Sequence, residues 1–75
     1  MLTFNINRFT LNRGALVAEA SDLEMPPGRY PTFIAVRQED GTAVDYTFER
    51  IDSLEIAHYR AITPGNYVPI QILND

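Results

Sequence analysis

Few side chains in this sequence could carry acid–base or nucleophilic chemistry. There is no cysteine and a single histidine, His58. A nucleophile would have to be Ser21 or Ser53, and His58 is the only base of the histidine type that could activate it. Neither serine stands in a Gly-x-Ser-x-Gly turn, the arrangement that exposes the catalytic serine of many hydrolases. We therefore predict that the protein has no catalytic residues and is not an enzyme.

Metal and phosphate chemistry have little support in the sequence. Glu55 and His58 have the Glu-x-x-His spacing that shares one helix face in di-metal bundles. Such sites need a second pair of this kind and further carboxylates from other helices, and this chain has only one histidine. The segment Pro-Pro-Gly at 26–28 lacks the following Gly and Lys of a phosphate-binding loop. We predict no metal site and no cofactor.

Aromatic and arginine residues suggest two alternative binding surfaces. The first is a stacking face for single-stranded nucleic acid, of the kind found on small OB-like barrels, formed by Phe33, Arg37, Tyr46, Phe48 and Arg50. The second is an exposed rim for a protein partner, because tyrosine and arginine are enriched at protein-interface hot spots. Its candidate residues are Arg29, Tyr30, Tyr59, Arg60 and Tyr67.

The charge balance favours the protein partner. Ten acidic residues stand against six arginines and no lysine, which gives a formal net charge of −4. A net negative field repels polyanions, so binding of nucleic acid is not expected. The acidic residues could instead imitate phosphates on a protein that normally binds nucleic acid. The candidate acidic surface consists of Asp22, Glu24, Glu39, Asp40, Asp45 and Glu49.

The N-terminal third reads as two strands followed by a short turn of helix. Apolar residues alternate from Leu2 to Ile6, and Phe9 and Leu11 share a core face with them only if the chain bends near residues 7–8. The segment Asn-Arg-Gly at 12–14 predicts a tight turn. A strand follows over residues 16–20, with a helix over 15–25 as the alternative, and residues 21–24 can cap one helical turn.

The clearest signal is a hairpin around Asp-Gly at 40–41. A two-residue turn there would place Phe33 opposite Phe48 and Ala35 opposite Tyr46, with an aromatic ladder on one face. Phe33 and Phe48 would then be the main core residues. A bulged turn would shift these partners by one residue.

The C-terminal part predicts a helix and a final strand. Residues 52–62 can form a helix that begins after Asp52 and ends before Pro64, with its body at Ser53–Arg60. Residues 67–73 then predict a strand, and the proline at position 69 indicates that this strand lies at a sheet edge or starts irregularly. Pro-Gly-x-Tyr at 27–30 recurs at 64–67, which we interpret as shared turn chemistry rather than duplication.

One pattern resembles a known group of sequences. The segment Glu-Ala-Ser-Asp-Leu, the prolines and glycine that follow it, and the terminal Ile-Leu-Asn-Asp are similar to small uncharacterised open reading frames of bacteria and phages. The resemblance covers residues 19–31 and 72–75. It implies a phage or mobile-element accessory protein, and no activity or functional residue comes with it.

A chain of 75 residues allows one domain with a thin core. We predict a single α+β or mostly β domain over residues 1–75, with four to five antiparallel strands in a sheet or partly open barrel and one short helix. The sequence shows neither the basic and apolar segments of a secretory leader nor an apolar run long enough to span a membrane. A cytoplasmic location is therefore expected. The predicted function is a small acidic, non-enzymatic protein-binding module, and the finer prediction is a phage or mobile-element protein that inhibits a host factor. Homodimerisation through an edge strand is the other expected partnership.

Overall fold

Alternation of apolar residues, rather than any helical repeat, decides the secondary structure of this chain. We describe a computed structural model, which covers residues 2–23 and 30–74. It contains two 3-10 turns, at Ile6–Arg8 and Ala20–Leu23, and no α-helix in the part of the chain described. The strands are β1 (Leu2–Asn5), β2 (Thr10–Asn12), β3 (Ala15–Glu19), β4 (Phe33–Arg37), β5 (Ala43–Ile51), β6 (Ala57–Ala61) and β7 (Ile70–Leu73). The mostly β prediction is confirmed, whereas the predicted strand number was too low and the predicted helix is wrong.

All seven strands belong to one sheet, in the order β1-β4-β5-β6-β7-β3-β2. The pairs β1–β4 and β3–β7 are parallel, and the other pairs are antiparallel. Strands β1 and β2 lie at opposite edges although only residues 6–9 separate them in sequence. Because five residue steps span at most about 17 Å, the two edges must approach one another. The sheet is accordingly curled into a half-barrel.

Two tyrosines from the central strands occupy the core. Tyr46 on β5 and Tyr59 on β6 are each 1% exposed. Tyr46 lies opposite Ala61, a small partner that leaves room for the ring, and Phe48 packs edge-on against Tyr59 with 5.7 Å between ring centroids. Branched aliphatic side chains from β4, β5 and β7 complete the interior: Ile34, Val36, Val44, Ile70 and Ile72.

The β4–β5 hairpin forms with a register one residue away from the two-residue-turn prediction. Gly41 has φ +90°, its N–H donates to the Gln38 carbonyl at 3.1 Å, and the Gln38 N–H donates to the Thr42 carbonyl at 2.7 Å. This is the three-residue turn with a left-handed glycine and a bulge. Ile34 therefore lies opposite Tyr46, and Phe33 lies opposite Thr47.

The predicted aromatic ladder is therefore wrong. Phe33 lies on the outer face and is 49% exposed, so it is not a core residue. Phe48 remains on the inner side, where it packs against the core cluster. The face made by Ile34 and Val36 carries the core instead.

The helix predicted at residues 53–60 is replaced by a turn and strand β6. The Asp52 carboxylate accepts the N–H groups of Leu54 and Ile56, at 2.9 and 3.1 Å, and Glu55 adopts φ +63°. A left-handed residue at this point is incompatible with a continuing helix. Strand β6 pairs with both β5 and β7, and this pairing buries Ala57 and Tyr59 in strand alternation.

The bend predicted near residues 7–8 is the first 3-10 turn. It brings Phe4 and Phe9 to the same core, with 6.3 Å between ring centroids. Leu11, expected beside Phe9, is 67% exposed on β2, so that part of the prediction is wrong. The strand interpretation of residues 16–20 is confirmed over Ala15–Glu19, and a 3-10 turn follows it.

The final strand is an interior strand and not an edge. Strand β7 lies between β6 and β3, so the predicted open edge at residues 67–73 is wrong. Pro69 precedes the strand and therefore removes no ladder donor, while its carbonyl accepts the Leu16 N–H at 2.9 Å. The Pro-Pro-Gly segment at 26–28 lies outside the described residues.

Adjacent substitutions in β4 test this register. We expect Ile34→Ala to lower the free energy of unfolding by about 2–5 kcal/mol, because it empties a fully buried site. Phe33→Ala should cost less than about 1 kcal/mol, because half of that ring already faces water. Urea denaturation measures both values, and a larger loss for Phe33→Ala would contradict the register.

Candidate functional site

An apolar groove lies beside the outer-face residues Phe33 and Asp45, and we call it the Phe33 groove. Its volume is about 460 Å³, and its lining residues are Leu2, Pro31, Thr32, Phe33, Asp45 and Ile62. Three of its walls are large apolar side chains that remain substantially exposed, namely Leu2, Phe33 and Ile62. The groove exists because the bulged hairpin turns Phe33 away from the core.

Two hydrogen bonds to core residues fix the segment that leads into β4. The Tyr59 hydroxyl donates to the Pro31 carbonyl at 2.6 Å. The Phe48 N–H donates to the Thr32 carbonyl at 2.8 Å. Tyr59 is a core residue and Phe48 packs against the core, so this side of the groove is held by the interior of the sheet.

The opposite side is fixed by extension of the β5–β6 ladder beyond β6. The Ile62 N–H donates to the Asp45 carbonyl at 2.9 Å, and the Asp45 N–H donates to Thr63 Oγ1 at 2.8 Å. The groove is therefore largely preformed, which lowers the ordering cost of binding a partner.

Among the described residues that line the groove, Asp45 is the only charged one. It lies opposite Ala35, on the same outer face as Phe33, and is partly buried. Its carboxylate forms no hydrogen bond or ion pair with any residue in the described ranges 2–23 and 30–74.

The predicted protein-binding rim is divided between core and surface. Tyr59 is buried, and burial raises the pKa of its hydroxyl to about 12. Tyr30 is partly buried and packs against the core, whereas Arg60 is exposed, with Nε 3.8 Å from Glu49 Oε2. Tyr67 is 39% exposed in the loop before β7. Arg29 lies outside the described residues.

The predicted stacking face is not formed by these strands. Phe33 and Arg37 lie on the outer face of β4, opposite Thr47 and Ala43. Tyr46 and Phe48 project to the inner side, where Tyr46 belongs to the core cluster and Phe48 packs against it. Arg50 is exposed, beyond the bulge between Phe48 and Arg50.

The candidate acidic residues are dispersed over separate elements. Asp22 is exposed in the second 3-10 turn, and Glu39 and Asp40 lie in the β4–β5 turn. Hydrogen bonds from the Thr42 hydroxyl and N–H lower the pKa of Asp40. Asp45 lines the groove and Glu49 lies beside Arg60, while Glu24 falls outside the described residues.

The side chains considered for catalysis or metal binding form structural hydrogen bonds near the β5–β6 turn. His58 Nε2 lies 2.8 Å from Asp52 Oδ2, and this contact, followed by the backbone N–H of Ile56, lowers the pKa of Asp52. Glu55 accepts a hydrogen bond from Asn74 at 3.3 Å rather than sharing a helix face with His58. Within the described residues, no group of three or more potential ligands could hold a metal ion.

Sequence patterns alone gave no direct signal for the groove. Its residues come from four segments that are far apart in the chain: β1, the start of β4 with the two residues before it, β5, and the residue after β6. The available signal was the alternation in β4 combined with a bulged turn, since that register alone places Phe33 and Asp45 on the same face.

Comparison with known proteins gives no family assignment. No protein-family model, curated protein or solved structure matches this chain. Among the residues that the structure describes, no helix has the length and apolar character needed to cross a membrane.

The contact between Tyr59 and Pro31 can be tested by removal of one hydroxyl. We expect Tyr59→Phe to lower the free energy of unfolding by about 1 kcal/mol, because a short hydrogen bond is lost. Amide chemical shifts of Thr32 and Phe33 should move. Tyr67→Phe is the matched control, with a change within about 0.5 kcal/mol. Equal effects of the two substitutions would contradict a tethering role for Tyr59.

The turn at Asp52 predicts a pH dependence of stability. Because the folded state lowers the pKa of Asp52, its stabilisation is present above the unfolded pKa and is lost as the pH falls through the folded-state pKa. Wild type should therefore have a higher Tm than Asp52→Asn at pH 5, and the difference should shrink as the pH falls below about 4. Thermal unfolding between pH 5 and 2 measures this, with Ser53→Ala as control. A difference that grows towards low pH would contradict the assignment.

Proposed function

We propose that this protein is a small, non-enzymatic protein-binding module that docks its partner in the Phe33 groove. The observation that carries the proposal is that three exposed apolar residues, Leu2, Phe33 and Ile62, line one groove. Clustered apolar surface of this kind marks interaction sites more often than scattered exposed residues do.

The depth of the groove favours a protein partner over a small molecule. Small-molecule pockets usually bury 70–90% of the ligand surface. The Phe33 groove is open to solvent and not an enclosed cavity, so it would leave a larger part of a small ligand uncovered. A side chain projecting from a partner surface can fill such a shallow groove while the surrounding contact excludes water.

The free edge of β1 adds a second element to this surface. In the described part of the chain, strand β1 pairs with β4 alone, and its sequence Leu-Thr-Phe-Asn carries no charged residue or proline. Natural edge strands usually carry such features, which discourage pairing with other chains. Leu2 belongs to both the edge and the groove, so backbone pairing along β1 could extend a contact made in the groove.

The finer hypothesis makes the partner a host protein and the module a phage inhibitor. It is supported by the sequence resemblance at residues 19–31 and 72–75 alone. The imitation of phosphates by the six candidate acidic residues has no support from their dispersed positions. The nucleic-acid alternative likewise has no observation in its favour.

Two matched substitutions test the proposed function. Phe33→Ser removes an exposed aromatic from the groove, and Leu54→Ser removes an apolar side chain that is 77% exposed at the β5–β6 turn. Each protein is incubated with lysate of the source cells and analysed by size exclusion with light scattering and mass spectrometry. We expect wild type and Leu54→Ser to form a discrete complex. The amount of this complex should be at least tenfold lower with Phe33→Ser.

Other outcomes contradict the proposal. Complex formation that survives Phe33→Ser would place the contact elsewhere on the surface. A wild-type homodimer that Phe33→Ser converts to a monomer would make the groove a self-association surface instead of a site for another protein.

A further inference from the structure

Asp45 is the feature of the Phe33 groove that apolar packing does not explain. It is a partly buried carboxylate between apolar walls, and no residue in the described ranges pairs with its side chain. A carboxylate that is partly removed from water loses hydration unless a donor or cation replaces it. Its position suggests that a partner supplies this group.

The neighbouring arginines do not neutralise Asp45. Arg37 and Arg60 occupy diagonal positions on the two adjacent strands, at the distance where long side chains can meet. The ion pair of Arg60 is to Glu49, and Arg37 forms none within the described part of the chain. Within the described residues, the charge at the groove wall therefore has no ion-pair partner.

We infer that the occupant of the groove is an extended segment of a partner protein that presents an apolar side chain and, two residues away, a lysine or arginine. This inference rests on the proposed function of the groove and names the chemistry of its partner. In an extended chain, residues two positions apart project to the same side, about 7 Å from one another. The apolar side chain fills the space between Leu2, Phe33 and Ile62, and the cation reaches Asp45.

The two contacts have different roles. Burial of the apolar side chain supplies most of the affinity, because it removes apolar area of both partners from water. The cation supplies specificity: an acidic residue at the same position would face an unpaired carboxylate across a partly desolvated wall. The overall charge of −4 also attracts cationic segments, so the local effect of Asp45 must be separated from this general field.

Three synthetic peptides provide the probes: acetyl-Thr-Phe-Thr-Lys-Thr-amide and the same peptide with Gln or Glu in place of Lys. Titration of the labelled full chain is followed by amide chemical shifts. We expect shifts at Phe33, Asp45 and Ile62, and an affinity for the Lys peptide about five- to tenfold above that for the Glu peptide. Asp45→Asn should reduce this ratio to near one and leave the affinity for the Gln peptide unchanged.

The matched control is Glu39→Gln, which changes the net charge by the same amount at an exposed turn outside the groove. It should retain the preference for the Lys peptide. If the preference survives in Asp45→Asn, or disappears in Glu39→Gln, the general field of the protein is responsible and the inference is wrong.

Equal affinity of the wild type for all three peptides, with shifts in the groove, overturns the inference but leaves the proposed function intact. Absence of groove shifts with every peptide overturns the inference, while the lysate experiment with Phe33→Ser decides the proposed function separately.

Discussion

Two buried tyrosine hydroxyls impose the constraint on which the rest of this structure depends. Tyr46 and Tyr59 fill the centre of the half-barrel, and a buried hydroxyl without a partner costs about 1–3 kcal/mol. Each therefore reaches a backbone carbonyl outside the sheet, at Val68 and Pro31. Through these two bonds the core positions the loop before β7 and the segment before β4. Interior packing and surface shape are thus coupled, and the Phe33 groove is one product of that coupling.

The small size of the chain explains why its polar residues are used for turns. With 75 residues and no cysteine, the protein has few ways to stabilise its loops other than local hydrogen bonds. Asp52 organises the β5–β6 turn and contacts His58, and Asp40 closes the β4–β5 turn with Thr42. These assignments leave Asp45 as a charged side chain with no structural partner in the described residues, at the wall of an apolar groove. Asp40 and Asp52 thus stabilise turns, whereas Asp45 has no such structural role in the described residues.

The groove and the core arise from one register choice in one hairpin. Placement of Gly41 in a left-handed bulge puts Ile34 and Val36 inside, and the same choice puts Phe33 and Asp45 on the outer face. A large aromatic on the outer face of a small protein would be an unfavourable use of apolar area if nothing covered it. The proposed partner contact gives this arrangement a function, and the preformed walls reduce the entropy that such a contact must overcome.

The sequence by itself determined the local periodicities: alternation in β1, β4, β5 and β7, the tight turn after Asn12, and a hairpin around Gly41. These follow from contacts between residues close in the chain. Tertiary structure alone decided the register at Gly41, because a two-residue and a bulged turn suit the same residues and only burial of Ile34 opposite Tyr46 selects between them. It also decided residues 57–61, whose alanines and tyrosine fit either a helix or a strand until pairing with both β5 and β7 buries Tyr59. The candidate site could not be predicted from the sequence, because its walls come from four distant segments that only the curled sheet brings together.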